Sequence, residues 1–306
     1  MLRSLALSAL LLSGASLVAA DSSPHYYFIF GDSYSTSGFN WTGVQPSHDL
    51  PFGNKDDFNL TNGQRSWADI FGEHVGGFQR DYRIYNYAGY DSVVNRSIAN
   101  IDSFPGSPSL QEQVEEFIKT RAGPNKDWNG TSATVGISIG ATDLGNIDDP
   151  QAHIDDVISG IQTSLLRQLE ELYGAGLRQF FFVDLAPLYL APAFIAESKE
   201  PNELPTWLEM LDGYNFDVNQ TVASFQKLYP DAVVPVFSQE YLYQILPSDD
   251  WSSNVINVNK YANSSNDQEG SGAAWAASND NHGSSAINNE VANNLINFLP
   301  ASFKFG

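Results

Sequence analysis

Tyr26-Tyr27-Phe28-Ile29-Phe30-Gly31-Asp32-Ser33-Tyr34-Ser35-Thr36-Ser37-Gly38-Phe39 decides how this chain is read. Its first five residues are aromatic or β-branched and stop abruptly at Gly31-Asp32. An unbroken apolar run of this length predicts a strand buried on both faces, as in a parallel sheet covered by helices. Gly-Asp signals a turn. Ser33 therefore falls at the carboxyl edge of a sheet, where open α/β folds carry their chemistry. A hydroxyl there can share a crevice with the backbone N–H groups of the turn, giving a nucleophile beside an oxyanion donor. On spacing alone, the same residues read more readily as an Asp-Ser turn capping a helix.

Outward from this stretch, strand and helix patterns alternate. Residues 83–88, 133–139, 179–183 and 232–237 read as further strands. Residues 66–74, 109–120, 204–228 and 284–298 read as helices, with Ser109 as a cap. Asp149-Pro150 opens the clearest helix, in which Ile154, Val157, Ile158, Ile161, Leu165, Leu169 and Leu172 recur every three or four residues until Gly174-Ala175-Gly176. The alternation predicts an α/β fold: a three-layer α/β/α sandwich around a mostly parallel five-stranded sheet. No repeat, linker or composition break divides residues 21–306, which are expected to form one domain. Residues 37–65 are rich in Gly, Pro, Asn and Asp, and read as a long irregular excursion of the kind that is often functional.

Residues 1–20 carry Arg3, an apolar run and Ala19-Ala20, which predicts a signal peptide cleaved after Ala20 and a secreted, extracellular protein. The formal charge is −21 and becomes one unit more negative when Arg3 leaves with the leader. Such a surface disfavours nucleic acid and anionic membranes as partners. The absence of cysteine excludes disulfides and thiolate metal sites. Scattered aspartates do not make a metal site, and no cofactor motif occurs. Sequons at Asn40, Asn59, Asn95, Asn129, Asn219 and Asn263 are candidate N-glycan sites and predict exposed loops. A monomer is expected.

Five histidines are present. His25 precedes the first strand, His48 lies in the long excursion, and His74 and His153 fall on helices. His282 lies in Ser278-Asn279-Asp280-Asn281-His282-Gly283-Ser284, a polar loop before the last helix and a fitting place for a base. A serine hydroxyl is too weakly acidic to attack unaided, and a neutral imidazole in reach would take its proton and return it to the leaving alcohol. Gly136-Ile137-Ser138-Ile139-Gly140 matches the Gly-X-Ser-X-Gly elbow, but Val135, Ile137 and Ile139 alternate straight through it. Ser138 is therefore expected in a strand.

Phe30-Gly31-Asp32-Ser33-Tyr34, with Thr36 and Gly38-Phe39, resembles the first block of the GDSL (SGNH) hydrolases, in particular the secreted fungal acetylesterases of carbohydrate esterase family sixteen. The likeness continues through Gln45-Pro46-Ser47, Gly53-Asn54, Thr61-Asn62-Gly63, Ser66-Trp67, Asn86-Tyr87-Ala88, Gly140 to Gly145 and the surroundings of His282. It implies a flavodoxin-like fold and a serine esterase acting on acetylated oligosaccharides or other small esters. Ser33 would be the nucleophile and His282 the base. Asp280 stands two residues before the histidine rather than the family's three, where Asn279 stands instead, so either residue is a candidate orienting group. The oxyanion donors implied are Ser33, Gly89 and Thr142, with Thr142 where the family has Asn. Asp32 and Asp143 would support the site. Trp41, Tyr90 and Trp275 are candidates to line a sugar cleft. Two other readings stay open: a glycan-binding protein that has lost catalysis, and an esterase of broader acyl range.

Overall fold

The computed structural model describes residues 23–54, 63–77, 81–98, 106–147, 150–197, 203–242, 257–262, 273–277 and 280–304. The expected leader, the sequons at Asn59 and Asn263, and Asn279 lie outside the described residues. Strand β1 (His25–Gly31) is buried along its whole length. It pairs in parallel with β2 (Tyr82–Asn86) on one side and β3 (Ala133–Ser138) on the other. Strands β4 (Gln179–Val183) and β5 (Val236–Phe237) complete a parallel sheet of order β2-β1-β3-β4-β5. This is the flavodoxin-like order, whose direction of winding reverses between β1 and β3.

Alternate residues of β1 and β4 feed two separate cores. Tyr26, Phe28, Phe30, Val135, Ile137, Phe180 and Phe182 face helices α2 (Leu110–Arg121), α4 (Pro150–Gly174) and α6 (Glu203–Leu228). Tyr27, Ile29, Phe181 and Val183 face α1 (Trp67–Gly76) and the last helix, α7 (Ser285–Phe298). A fully buried phenylalanine contributes roughly 2–3 kcal/mol of transfer free energy, so this double burial is what an unbroken aromatic strand requires. Serines begin three of the helices: Ser66, Ser109 and Ser284 each accept from a backbone N–H three residues on. At Ser109 the Glu112 side chain returns the bond, closing a capping box.

The fifth strand is shorter than its sequence predicts. Val233, Pro235 and Phe237 offer their carbonyls to the amides of Phe180, Phe182 and Asp184. Pro235 has no N–H to give back, so the regular ladder is limited to an edge. Four elements have no counterpart in the expectations: the short helices α3 (Ala141–Gly145) and α5 (Pro192–Glu197), and the two strands of a parallel pair, β6 (Asn257–Tyr261) and β7 (Ala273–Trp275). The sequon at Asn219 also departs from expectation, since it lies within α6 and its amide donates to the Asn215 carbonyl at 2.9 Å. By contrast Asn40, Asn95 and Asn129 sit in turns, where the hydroxyl two residues on donates to each Oδ1 at 2.7–2.8 Å.

Candidate active site

Ser33 follows β1 directly, at the reversal point of the sheet. The turn is locked from several sides. The Gly31 N–H donates to Gln113 Oε1, and Gln113 Nε2 donates back to the Gly31 carbonyl, both at 2.9 Å. The Asp32 amide donates to the Ser138 carbonyl at 3.3 Å, and the amides of Ser35 and Thr36 both donate to the Asp32 carbonyl. A Cβ on Gly31 would lie 2.1 Å from the Ser138 carbonyl oxygen. Glycine is required here by close approach of two strands.

His282 reaches this turn from the far end of the chain. Its Nε2 lies 2.8 Å from Ser33 Oγ, and its Nδ1 lies 2.6 Å from Asp280 Oδ1. Asp280 Oδ1 also accepts the His282 backbone N–H at 3.0 Å. The kink this imposes lets a carboxylate only two residues away meet its own histidine. A carboxylate at Nδ1 holds the ring proton there, leaving Nε2 to accept from the serine. Ser33 and His282 are both buried, at 3% and 4% exposure, so the pair acts at reduced dielectric. Strand β7 carries the loop: the Ala276 amide donates to the His282 carbonyl and the Ser284 amide to the Ala274 carbonyl. The Tyr34 hydroxyl donates to the Asn281 carbonyl at 2.9 Å, and its ring centroid lies 4.8 Å from that of the imidazole.

Two buried carboxylates support the turn. Burial pushes the Asp32 carboxyl up to about 7, against the lowering effect of the Tyr34, Ala141 and Gly140 amides and of His282. Asp143, also raised by burial to about 7, accepts the Val94 amide and is pushed further by the charge of Asp32. Asp32 Oδ1 accepts the Tyr34 amide at 3.1 Å within the nucleophile turn, and half-buried Thr142 sits on α3, the helix that carries Asp143. Gly140 opens that helix at φ 119°, and a Cβ there would meet the Tyr214 ring at 2.3 Å.

The expected oxyanion role of Gly89 is corrected. Its N–H continues the β1–β2 ladder onto the Gly31 carbonyl at 3.1 Å and is thereby occupied. The expected cleft aromatics also separate. Trp275 is buried in the core, Trp41 is half-buried and stacked on Tyr87, and Tyr90 is 45% exposed. Ser138 ends β3 as a strand residue, in register with Gly31, which excludes the elbow. Among the described histidine contacts, His25 meets Thr134 and His48 meets Asp81, both remote from Ser33 in the site's bonding. Sequence reasoning missed Tyr34, whose place beside Ser33 was the available signal, and Gln113, which carried none. Among the described residues, no group of His, Cys, Asp and Glu is arranged to hold a metal ion.

A parallel α/β sandwich with Ser, His and Asp linked in series at its winding reversal has the layout of a serine hydrolase. Comparison with known proteins agrees. The profile of the GDSL-like lipase/acylhydrolase family matches residues 27–295, and the chain belongs to that family. An acetylesterase of Thermothelomyces thermophilus is 32% identical over 205 residues, covering 64% of this chain and 65% of that protein's length. A solved acetyl xylan esterase from Geobacillus stearothermophilus shares the fold, with TM-score 0.50 and 14% identity over 92% of this chain and 96% of that one.

Proposed function

We propose that the chain is a secreted serine esterase that removes acetyl groups from short hemicellulose oligosaccharides. The observation that carries the reading is the series Ser33 Oγ, His282 Nε2, His282 Nδ1, Asp280 Oδ1, with links of 2.8 and 2.6 Å. The Ser33 oxygen attacks the acetyl carbonyl while His282 Nε2 takes its proton. Asp280 keeps the imidazole oriented and stabilises the imidazolium. The proton then passes to the leaving sugar hydroxyl, leaving an acetyl-serine. Water, deprotonated by the same nitrogen, hydrolyses that ester and restores the serine. The Ser33 amide and the Thr142 hydroxyl hold the oxyanion. The acetylesterase and acetyl xylan esterase relatives support the choice of acyl group and of sugar. The leader-like residues 1–20 support secretion, and the turn sequons Asn40, Asn95 and Asn129 support glycan attachment.

The test is hydrolysis of 4-nitrophenyl acetate by the wild type and by Ser33→Ala. A fall of about 10³-fold or more is expected. Equal, near-background rates would instead favour the glycan-binding reading, for which the occupied Gly89 amide is the motive.

A further inference from the structure

The loop after β2 reaches the imidazole with two residues that the acyl-transfer steps do not use. The Tyr90 ring is stacked near His282, with centroids 5.9 Å apart and an interplanar angle of 26°, and 45% of the residue is exposed. Asp91, next in the chain, has φ 53° and is the one non-glycine residue with positive φ among the described residues. Such a conformation costs roughly 1 kcal/mol and persists where the surroundings require it, often at functional sites. The Asp91 carboxyl is half-buried; burial raises its pKa while His282 lowers it, so it shares the electrostatic environment of the base. On the inner side of the histidine loop, Tyr34, Trp67, Ser138, Asn281 and Gly283 line a cavity of about 30 Å³. Tyr90 is the partly exposed group stacked near the imidazole, so a substrate that reaches His282 over this ring meets the turn.

We infer that the Tyr90-Asp91 turn is the subsite for the alcohol half of the ester and selects an uncharged sugar. The inference rests on the esterase reading and adds to it which alcohols are accepted. A sugar ring presents a C–H face that packs on an aromatic ring, and its hydroxyls donate to a carboxylate that can only accept. A long alkyl chain would satisfy the ring but leave the carboxylate desolvated without a donor. An anionic alcohol, such as one carrying a uronic acid, would meet the Asp91 charge within a chain already at −21. One exposed aromatic face and one carboxylate on a single strained turn thus define a neutral, hydroxyl-rich ligand.

The experiment is titration calorimetry on Ser33→Ala protein, which binds without turnover. The probes are a neutral acetylated xylo-oligosaccharide and its counterpart bearing a glucuronic acid. Tyr90→Ala should weaken binding of the neutral probe by about tenfold, whereas Tyr90→Phe should keep it. Asp91→Asn, which tolerates the left-handed turn, should narrow the preference for the neutral probe by about tenfold, and Asp91→Gly, which also removes the carboxylate while keeping the turn, should do the same. Unchanged affinity in Tyr90→Ala, or an unchanged neutral-to-anionic ratio in both Asp91 variants, overturns the subsite. So does Tyr90-dependent binding of a long-chain ester in preference to the sugar. Hydrolysis of 4-nitrophenyl acetate by the wild type reads the esterase function separately. An inert wild type that still shows the binding shifts would sink the esterase reading and leave a sugar-binding turn without the ester role.

Discussion

The turn that presents Ser33 and the loop that presents His282 reach the same point by different means. The turn is an extension of the sheet interior: Gly31 is gripped by Gln113 and pressed on Ser138, and the Asp32 amide is spent on the neighbouring strand. The loop hangs from a short outer pair of strands. It is aimed by side chains, with Asp280 folding back on His282 and Tyr34 holding the Asn281 carbonyl. The nucleophile's place is therefore a consequence of core packing. The base's place is a consequence of a few polar bonds. Damage to the first should appear as lost stability, and damage to the second as lost rate.

Asp280→Asn gives the largest effect and sharpens the contrast. It removes the charge behind the imidazole and frees the choice of tautomer, so kcat should fall by about 10²–10⁴-fold. Thermal stability, followed by circular dichroism, should change little, and a matching loss of both would break the comparison. On the other side, Gly31→Ala would drive a methyl to 2.1 Å from the Ser138 carbonyl. Denaturant titration should show a loss of roughly 3 kcal/mol, the upper range for overpacking a closed site. Full stability would mean that the strands are not held as tightly as described. A smaller effect is expected from Tyr34→Phe, which deletes the bond to the Asn281 carbonyl. One lost hydrogen bond is worth about 1 kcal/mol, so kcat should fall several-fold with the KM for a small aryl ester kept.

These expectations show why one half of the site was easier to read than the other. The strand over residues 26–30 and its arrest at Gly31-Asp32 follow from composition and turn chemistry, and the two-sided burial follows from the lack of alternation. The alternation of strands and helices likewise gave the sheet. The loop offered no comparable pattern. Asp280 and Asn279 are both polar neighbours of His282, and the choice of Asp280 depends on a kink closed by the carboxylate itself. β6 is too polar, and β7 too short and rich in alanine, to announce strands. Gly89 was misread because a strand-end glycine can turn its amide either to the site or to the next strand, and the β1–β2 ladder takes it.

The smallest effect expected concerns pH and the turn alone. Asp32 and Asp143 have folded-state values of about 7 against an ordinary 3.8. The folded chain thus holds more protons than the unfolded chain between these values, so their contribution weakens as pH rises from about 4 to about 7. The melting temperature should decline across that window, and Asp143→Asn should flatten the decline. A rise attributable to these groups would reverse the assignment of their burial as the dominant cause.

The central claim is that Ser33 is the hydroxyl activated by His282. Its most direct test is covalent trapping by a fluorophosphonate, followed by peptide mass spectrometry. The label should sit on Ser33 in the wild type and fall to background in His282→Ala. A label on Ser138, or a Ser33 label that is unaffected by loss of the imidazole, would contradict it.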